Sequence, residues 1–272
     1  MTLRLLVALL LPALAACLPD SGLENTTEVA WSAERAGAFL GSPSIVQCSS
    51  FVVASHDTFG NSQGVAHIWR SSDSGSTWAQ IGVVKPMYWA TLFTLGSQLY
   101  LMGTTSDSVA STSEVVIAQS KDCGITWNIS VLTSWQHSIS TGPTPALIHA
   151  GRVWRALERN DGGWASGYAA WVMSAPVTAD LMLPASWSWS GFLDFASVAA
   201  LVPASWSSPL VSSSFGWLEG NAVEPVDGSD SGVHIVLRVN SLPVANKAAL
   251  LYVANATSTP AFVDWIDLPG GM

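Results

Sequence analysis

Two carboxylates and one arginine are the residues of this chain best suited to chemistry. Glu219 stands in "WLEGNAV", and Arg238 stands in "HIVLRVN" one hairpin later. A turn through Asp227-Gly228 would return the chain and bring the two sides together. Asp57 ends the strand pattern "VVASHDTF" with His56 beside it, within reach to orient it. A carboxylic acid, a base and a cation are what general acid–base catalysis with charge stabilisation needs. The blander readings are an Asx turn before Gly60 for Asp57, and an exposed glutamate with an edge-strand arginine for the pair. "GRVWRALE" adds Arg152, Trp154, Arg155 and Glu158 on one hairpin. Strand alternation puts Arg155 and Glu158 on opposite faces, so a pocket role would fall to one of them. Otherwise the two make a solvated salt bridge.

Other chemistries lack their residues. The five His are scattered, with no HxxxH or CxxC spacing, so no metal site is expected. No phosphate-cradling glycine loop and no Gly-x-Ser-x-Gly elbow occurs, and no cofactor is expected. Net charge is -9 with 10 Lys plus Arg and no basic run, which argues against a nucleic-acid partner.

The elements that must position these residues are strands. Hydrophobic residues make up 49% of the chain and charged residues 11%, the reverse of a disordered composition. Fourteen Trp, with abundant Val, Ile and Thr, favour β structure. Short strand patterns alternate with turn signals such as Gly96-Ser97 and Ala150-Gly151, and no stretch sustains a helical period. An eight-residue frame occurs twice, "SSDSGSTW" at Ser71 to Trp78 and "SKDCGITW" at Ser120 to Trp127. The copies lie roughly 50 residues apart, the length of a propeller blade. "SAPVTADLMLPASW", ending at Trp187, reads as a worn third copy, and residues 217–265 form a fourth unit. In each frame the Asp should accept from the amide two residues on, Gly75 or Gly124 should take positive φ, and the Trp should plug the gap between sheets. These loops are read as staples of the fold and not as its active site.

The frame is the Asp box. With "GSPSI" at 41–45 and "WLEGNAV", the chain resembles the sialidase superfamily of six-bladed β-propellers from about residue 39 onward. The resemblance implies an all-β propeller with about four four-stranded blades visible of an expected six. It implies an exo-glycoside hydrolase acting on terminal sugars of extracellular glycans, with a glycan as partner. Sialidases clamp the substrate carboxylate with three arginines and use a Tyr nucleophile activated by a Glu, with an Asp as acid/base. Glu219 looks like the activating Glu, Arg238 like the second arginine and Asp57 like the acid/base. Arg155, His56 and Asn221 are substrate-binding candidates, and Trp135 and His137 have the chemistry to stack on a sugar. Gly41 stands where the first arginine belongs, which points away from sialic acid. A six-bladed propeller of this family needs about 350 residues or more against the 272 of this chain, and none of Tyr88, Tyr100, Tyr168 and Tyr252 sits in a matching motif. The alternative is a catalytically inactive carbohydrate-binding or protein-interaction propeller.

Arg4 followed by an apolar run to Ala16, with Ala13-Leu14-Ala15 near its end, reads as a signal peptide over residues 1–16. The run is about 12 residues, too short to span a bilayer. A linker over 17–30 then leads to the propeller domain at 31–272. Secretion is expected. Leu14-Ala15-Ala16-Cys17 also resembles a lipobox, which in a bacterium would anchor a lipid at Cys17. Sequons at Asn25, Asn128 and Asn255 suit a eukaryotic secreted glycoprotein. Cys48 and Cys123 form a disulfide or remain two buried thiols.

Overall fold

The computed structural model describes residues 4–5, 26–31, 39–59, 64–106, 112–135, 137–160, 162, 165–203, 215–225, 231–240 and 246–268. It divides into two compact units, Met1–Asp107 with Val115–Val131, and Ser108–Glu114 with Leu132–Met272. The first unit opens with a two-residue ladder between β1 (Arg4–Leu5) and β2 (Ala30–Trp31). Two four-stranded antiparallel sheets follow. One runs β3 (Phe39–Cys48), β4 (Phe51–Phe59), β5 (Ala66–Ser71), β6 (Ala79–Val84). The other runs β7 (Tyr88–Leu95), β8 (Gln98–Thr104), β9 (Val115–Ser120), β10 (Asn128–Val131).

The second unit holds two more sheets. The third is built on β13 (Arg152–Asn160) and β14 (Tyr168–Pro176). Its flanks are interrupted: β11 (Ser138–Ser140) and β12 (Leu147–His149) share one side, and β15 (Ser188–Trp189) and β16 (Leu193–Asp194) share the other. The fourth sheet runs β17 (Gly216–Val223), β18 (Val233–Asn240), β19 (Lys247–Val253), β20 (Ala261–Asp267). Four strand positions per sheet, filled in chain order, are blades of the β-propeller type, as the repeat predicts. The one α-helix among the described residues is a single turn, Phe195–Val198. None is long and apolar enough to cross a membrane.

Each unit has its own apolar core. Val53, Ile68, Leu92, Leu99, Leu101, Val116 and Ala118 pack together in the first. Trp154, Tyr168, Val172, Trp217, Leu237 and Leu251 do so in the second. The hairpin turns at Gly96 and at Ala150-Gly151 take positive φ, as tight two-residue turns require.

The first strands of three sheets share an irregularity that matters for the site. Ser42-Pro43 lie opposite the single residue His56, Trp89-Ala90 opposite Gly103, and Glu219-Gly220 opposite Leu237. Each is a β-bulge whose first residue is left-handed: Ser42 at φ 49°, Trp89 at 47° and Glu219 at 60°. In the third sheet the equivalent strand is broken outright, between β11 and β12.

The repeated frames are staples, with a different register from the expected one. Asp73 Oδ1 accepts from the Thr77 amide four residues on at 2.8 Å, and Asp122 Oδ1 from the Thr126 amide at 2.9 Å. Ser71 and Ser120 Oγ accept from the Gly75 and Gly124 amides, both at 2.8 Å. Those glycines sit at φ 92° and 97°. Trp78 and Trp127 are half-buried rather than plugs, each indole N–H donating to the carbonyl of the frame's own Gly at 3.0 Å. The Thr77 hydroxyl and amide hold the exposed Asp73 down to about 2.

Cys48 and Cys123 are disulfide-bonded, joining the end of β3 to the second Asp box. Residues 6–25, with most of the leader, Cys17 and the Asn25 sequon, and the turn at Asp227-Gly228 lie outside the described residues. The bridge closes a loop of 75 residues. Replacing both cysteines by serine should therefore lower unfolding free energy by about 2–4 kcal/mol in a denaturant titration. An unchanged midpoint would show that the bridge adds nothing to the first unit.

Candidate active site

The second unit gathers Arg155, Glu158, Glu219 and Arg238 around one bulge. Register explains how. Ser140 pairs with Glu158 just before the break in the third sheet, and Leu218 pairs with Arg238 just before the bulge in the fourth. Glu158 is wholly buried, and its Oε1 accepts from the Gly220 amide at 2.6 Å. A Cβ on residue 220 would meet that oxygen at 2.9 Å, so a side chain there would push the carboxyl off its amide. The carboxyl thus reaches from the third sheet to the amides of the fourth sheet's bulge. Left-handed backbone costs a non-glycine residue of order 1–2 kcal/mol, and the Glu158 grip offsets it at Glu219. Glu219 Oε2 in turn receives Arg238 Nε at 2.8 Å. This pair is partly open to solvent, 41% exposed at Glu219 and 31% at Arg238.

Arg155 completes the support. Its guanidinium donates to Thr144 Oγ1 at 3.1 Å, Thr141 Oγ1 at 3.2 Å and the Gly142 carbonyl at 2.7 Å. The broken strand supplies all three acceptors, and the Thr144 hydroxyl donates to the Gly220 carbonyl at 3.0 Å. Arg155, a substrate-binding candidate, and Glu158 are both fully buried, which excludes the alternative of a solvated salt bridge, and both serve the Glu219-Gly220 bulge. Burial lowers the Arg155 pKa to about 10, which leaves it cationic. Burial also pushes Glu158 up to about 7, against the pull of the Gly220 and Glu219 amides, so it holds a proton in mildly acidic solution. Glu158 Oε2 and Asn221 Oδ1 are buried without a hydrogen-bond partner. A cavity of about 510 Å³ opens beside Gly162, Tyr168, Asp194 and Ser197, and the Tyr168 carbonyl accepts from Trp217 at the start of the strand that carries Glu219.

Asp57 and His56 belong to the first unit. Asp57 pairs with Gly41 just before the bulge of its own sheet, is 1% exposed, and accepts from the Trp89 amide through Oδ2 at 2.9 Å. Burial raises its pKa, opposed by the Ser42 hydroxyl and the Trp89 amide. Its carboxyl does for Trp89 what Glu158 does for Glu219. His56 stacks on His67 at 4.8 Å, and its Nδ1 lies 3.0 Å from the Asp57 carbonyl. A carbonyl only accepts, so Nδ1 carries the proton, and burial lowers the ring's pKa to about 4 and keeps it neutral. Trp135 packs against Trp171, Trp189 and Phe192 in the second unit, and His137 is exposed.

Sequence reasoning named Glu219, Arg238, Arg155 and Asn221 but missed the Glu158 grip and the Thr141–Thr144 cradle. A sequence separation of 62 between Glu158 and Gly220 leaves no local signal of their contact.

No protein-family model and no curated protein matches the chain. Solved structures do. An α-L-arabinanase of Penicillium chrysogenum complexed with arabinobiose is 14% identical with a TM-score of 0.54, over 82% of this chain and 66% of its own. An α-L-arabinofuranosidase from Lactobacillus brevis is 16% identical at 0.51, over 82% and 74%. A GH93 α-L-arabinofuranosidase of Fusarium graminearum, also with arabinobiose, is 12% identical at 0.53, over 80% and 62%. The chain thus spans less than two thirds of the first and third of these. Likeness at such identities establishes the fold.

The buried acid makes a sign-definite prediction. Unfolded Glu158 ionises near 4.5 and folded Glu158 near 7, so the folded state binds the extra proton between those values. Stability should fall as pH rises through that window, by on the order of 3 kcal/mol, and level off above it. Glu158→Gln keeps the acceptor and removes the titration. Denaturant midpoints at pH 5 and pH 8 should differ more in wild type than in the variant, and parallel losses would refute the assignment.

Proposed function

We propose that the chain is a glycoside hydrolase that releases terminal sugars from extracellular glycans, with Glu219 as its general base. The observation that carries this reading is the Glu219 site itself: a strained backbone gripped from behind, and a carboxylate held by Arg238 at 2.8 Å yet open to solvent. Strain that surrounding structure over-determines is characteristic of pre-organised catalytic groups. Arg238 orients the base, and Asn221 offers a buried, unpartnered carbonyl oxygen for a sugar hydroxyl. Glycosidases with arabinobiose bound among the structural neighbours support the substrate class. Gly41 leaves one carboxylate-clamping arginine out, which favours a neutral sugar, an arabinofuranosyl residue first, over sialic acid. The leader-like N-terminus supports the extracellular setting.

The test is turnover by the full chain of 4-nitrophenyl α-L-arabinofuranoside, β-D-galactoside, β-D-glucuronide and an aryl sialoside. A neutral glycoside should be cleaved, and Glu219→Gln should lower kcat about 100-fold or more with an unchanged circular dichroism spectrum. Inertness of the wild type on the whole panel would overturn the hydrolase reading. Retention of a sugar by that inert protein would favour the binding propeller.

A further inference from the structure

The bulge that presents Glu219 in the fourth sheet recurs in the second sheet with an indole in its place. Trp89 and Ala90 face Gly103 as Glu219 and Gly220 face Leu237, and both leading residues are left-handed. We propose that Trp89 is a sugar-stacking platform, the binding element of the first unit, and that Asp57 is the residue that positions it. The proposal deepens the glycan reading above and rests on it.

A bulky aromatic at φ 47° is a conformational outlier that glycine or asparagine would occupy at far less cost. It is held there from two sides. The Asp57 carboxyl, 1% exposed, commits Oδ2 to the Trp89 amide at 2.9 Å. Across the ladder, a Cβ at Gly103 would lie 2.4 Å from the Tyr88 carbonyl oxygen and 3.1 Å from the Ala90 Cα, so the bulge closes only over glycine. A buried carboxyl and a glycine are thus both committed to one tryptophan backbone.

The indole is not being fixed for the core. Trp154, Trp171 and Trp217 are fully buried, whereas Trp89 is only half-buried and lies outside the first unit's buried cluster. Tyr88, buried, meets it edge-on at 4.9 Å and braces one side of the ring. An indole with part of its surface open to solvent suits the C–H face of a furanose or pyranose, and tryptophan has only two side-chain torsions to restrict on binding. The equivalent bulge of the first sheet carries Ser42, small and 4% exposed, so the motif itself demands no aromatic.

Binding is measured by calorimetry in the Glu219→Gln background, where ligands survive, with arabinotriose, xylotriose, cellotriose, maltotriose and 3′-sialyllactose. Trp89→Ala should weaken the best binder about tenfold or more, and Trp89→Phe by no more than about threefold. Asp57→Asn, which keeps an acceptor for the Trp89 amide, should bind as the parent does, and Asp57→Ala should weaken binding as Trp89→Ala does. Far-ultraviolet spectra and melts check that each variant is folded. Equal binding by Trp89→Ala and its parent overturns the proposal even if the wild type hydrolyses glycosides. Loss of binding in Trp89→Ala, with a wild type that hydrolyses nothing, upholds it while the hydrolase reading falls. A parent that binds no sugar on the panel overturns it as well.

Discussion

A buried carboxyl bonded to the backbone of the next sheet's bulge recurs in both units, and much else in the molecule follows from it. Asp57 holds the Trp89 amide, and Glu158 holds the Gly220 amide. Each carboxyl sits on the second strand of its sheet, at the residue paired just before the first strand departs from regular register. An ionised carboxylate there would bear a heavy desolvation cost, so both groups have raised pKa values. The amides they bind would otherwise be orphaned donors in a dry interior, costing about 1–3 kcal/mol each. Each carboxyl and the amide it binds satisfy one another, and that bond helps to hold the strained backbone at Trp89 and Glu219.

The same residue type plays the opposite part at the Asp boxes. Asp73 and Asp122 lie in exposed loops and collect amide and hydroxyl donors from within their own eight residues. For Asp122 burial works against ionisation, but the Thr126 and Ser120 donors prevail and its pKa falls to about 2. Solvation decides the difference: donors gathered at the surface favour the charged form, and burial between sheets favours the neutral one. The exposed set closes loops locally, and the buried set joins one sheet to the next.

What the sequence made legible follows from range. The Asp boxes and the turns at Gly96 and Ala150-Gly151 are local, set by residues a few positions apart, and they located the blades. Even there the register was misjudged, because the bond runs to the fourth residue on and depends on the positive φ of Gly75 and Gly124. Glu219 and Arg238 lie on one hairpin, so their pairing was also within reach. The supports were not. Glu158 reads in sequence as one end of an ordinary charged strand, and alternation separates it from Arg155. Only the break between β11 and β12 creates the Thr141–Thr144 cradle that lets both long side chains serve one bulge. Trp89 gave no signal at all, being one of 14 tryptophans, and its distinction is a backbone angle.

The three bulges show how one backbone device carries different chemistry. A left-handed residue followed by Pro43, Ala90 or Gly220 projects its side chain from the same point of each first strand, and the identity of that residue is free of the fold's demands. Serine there is buried and small, glutamate is charged and paired with an arginine, and tryptophan is flat and half-buried. The constraint falls on what lies opposite and behind: Gly103 across from Trp89, where a Cβ would run into backbone, and Gly220 beside Glu158, where one would crowd the carboxyl. Fold and site are therefore specified by different residues. The glycines and buried carboxyls fix where a side chain will stand, and the left-handed residue alone decides what it does there.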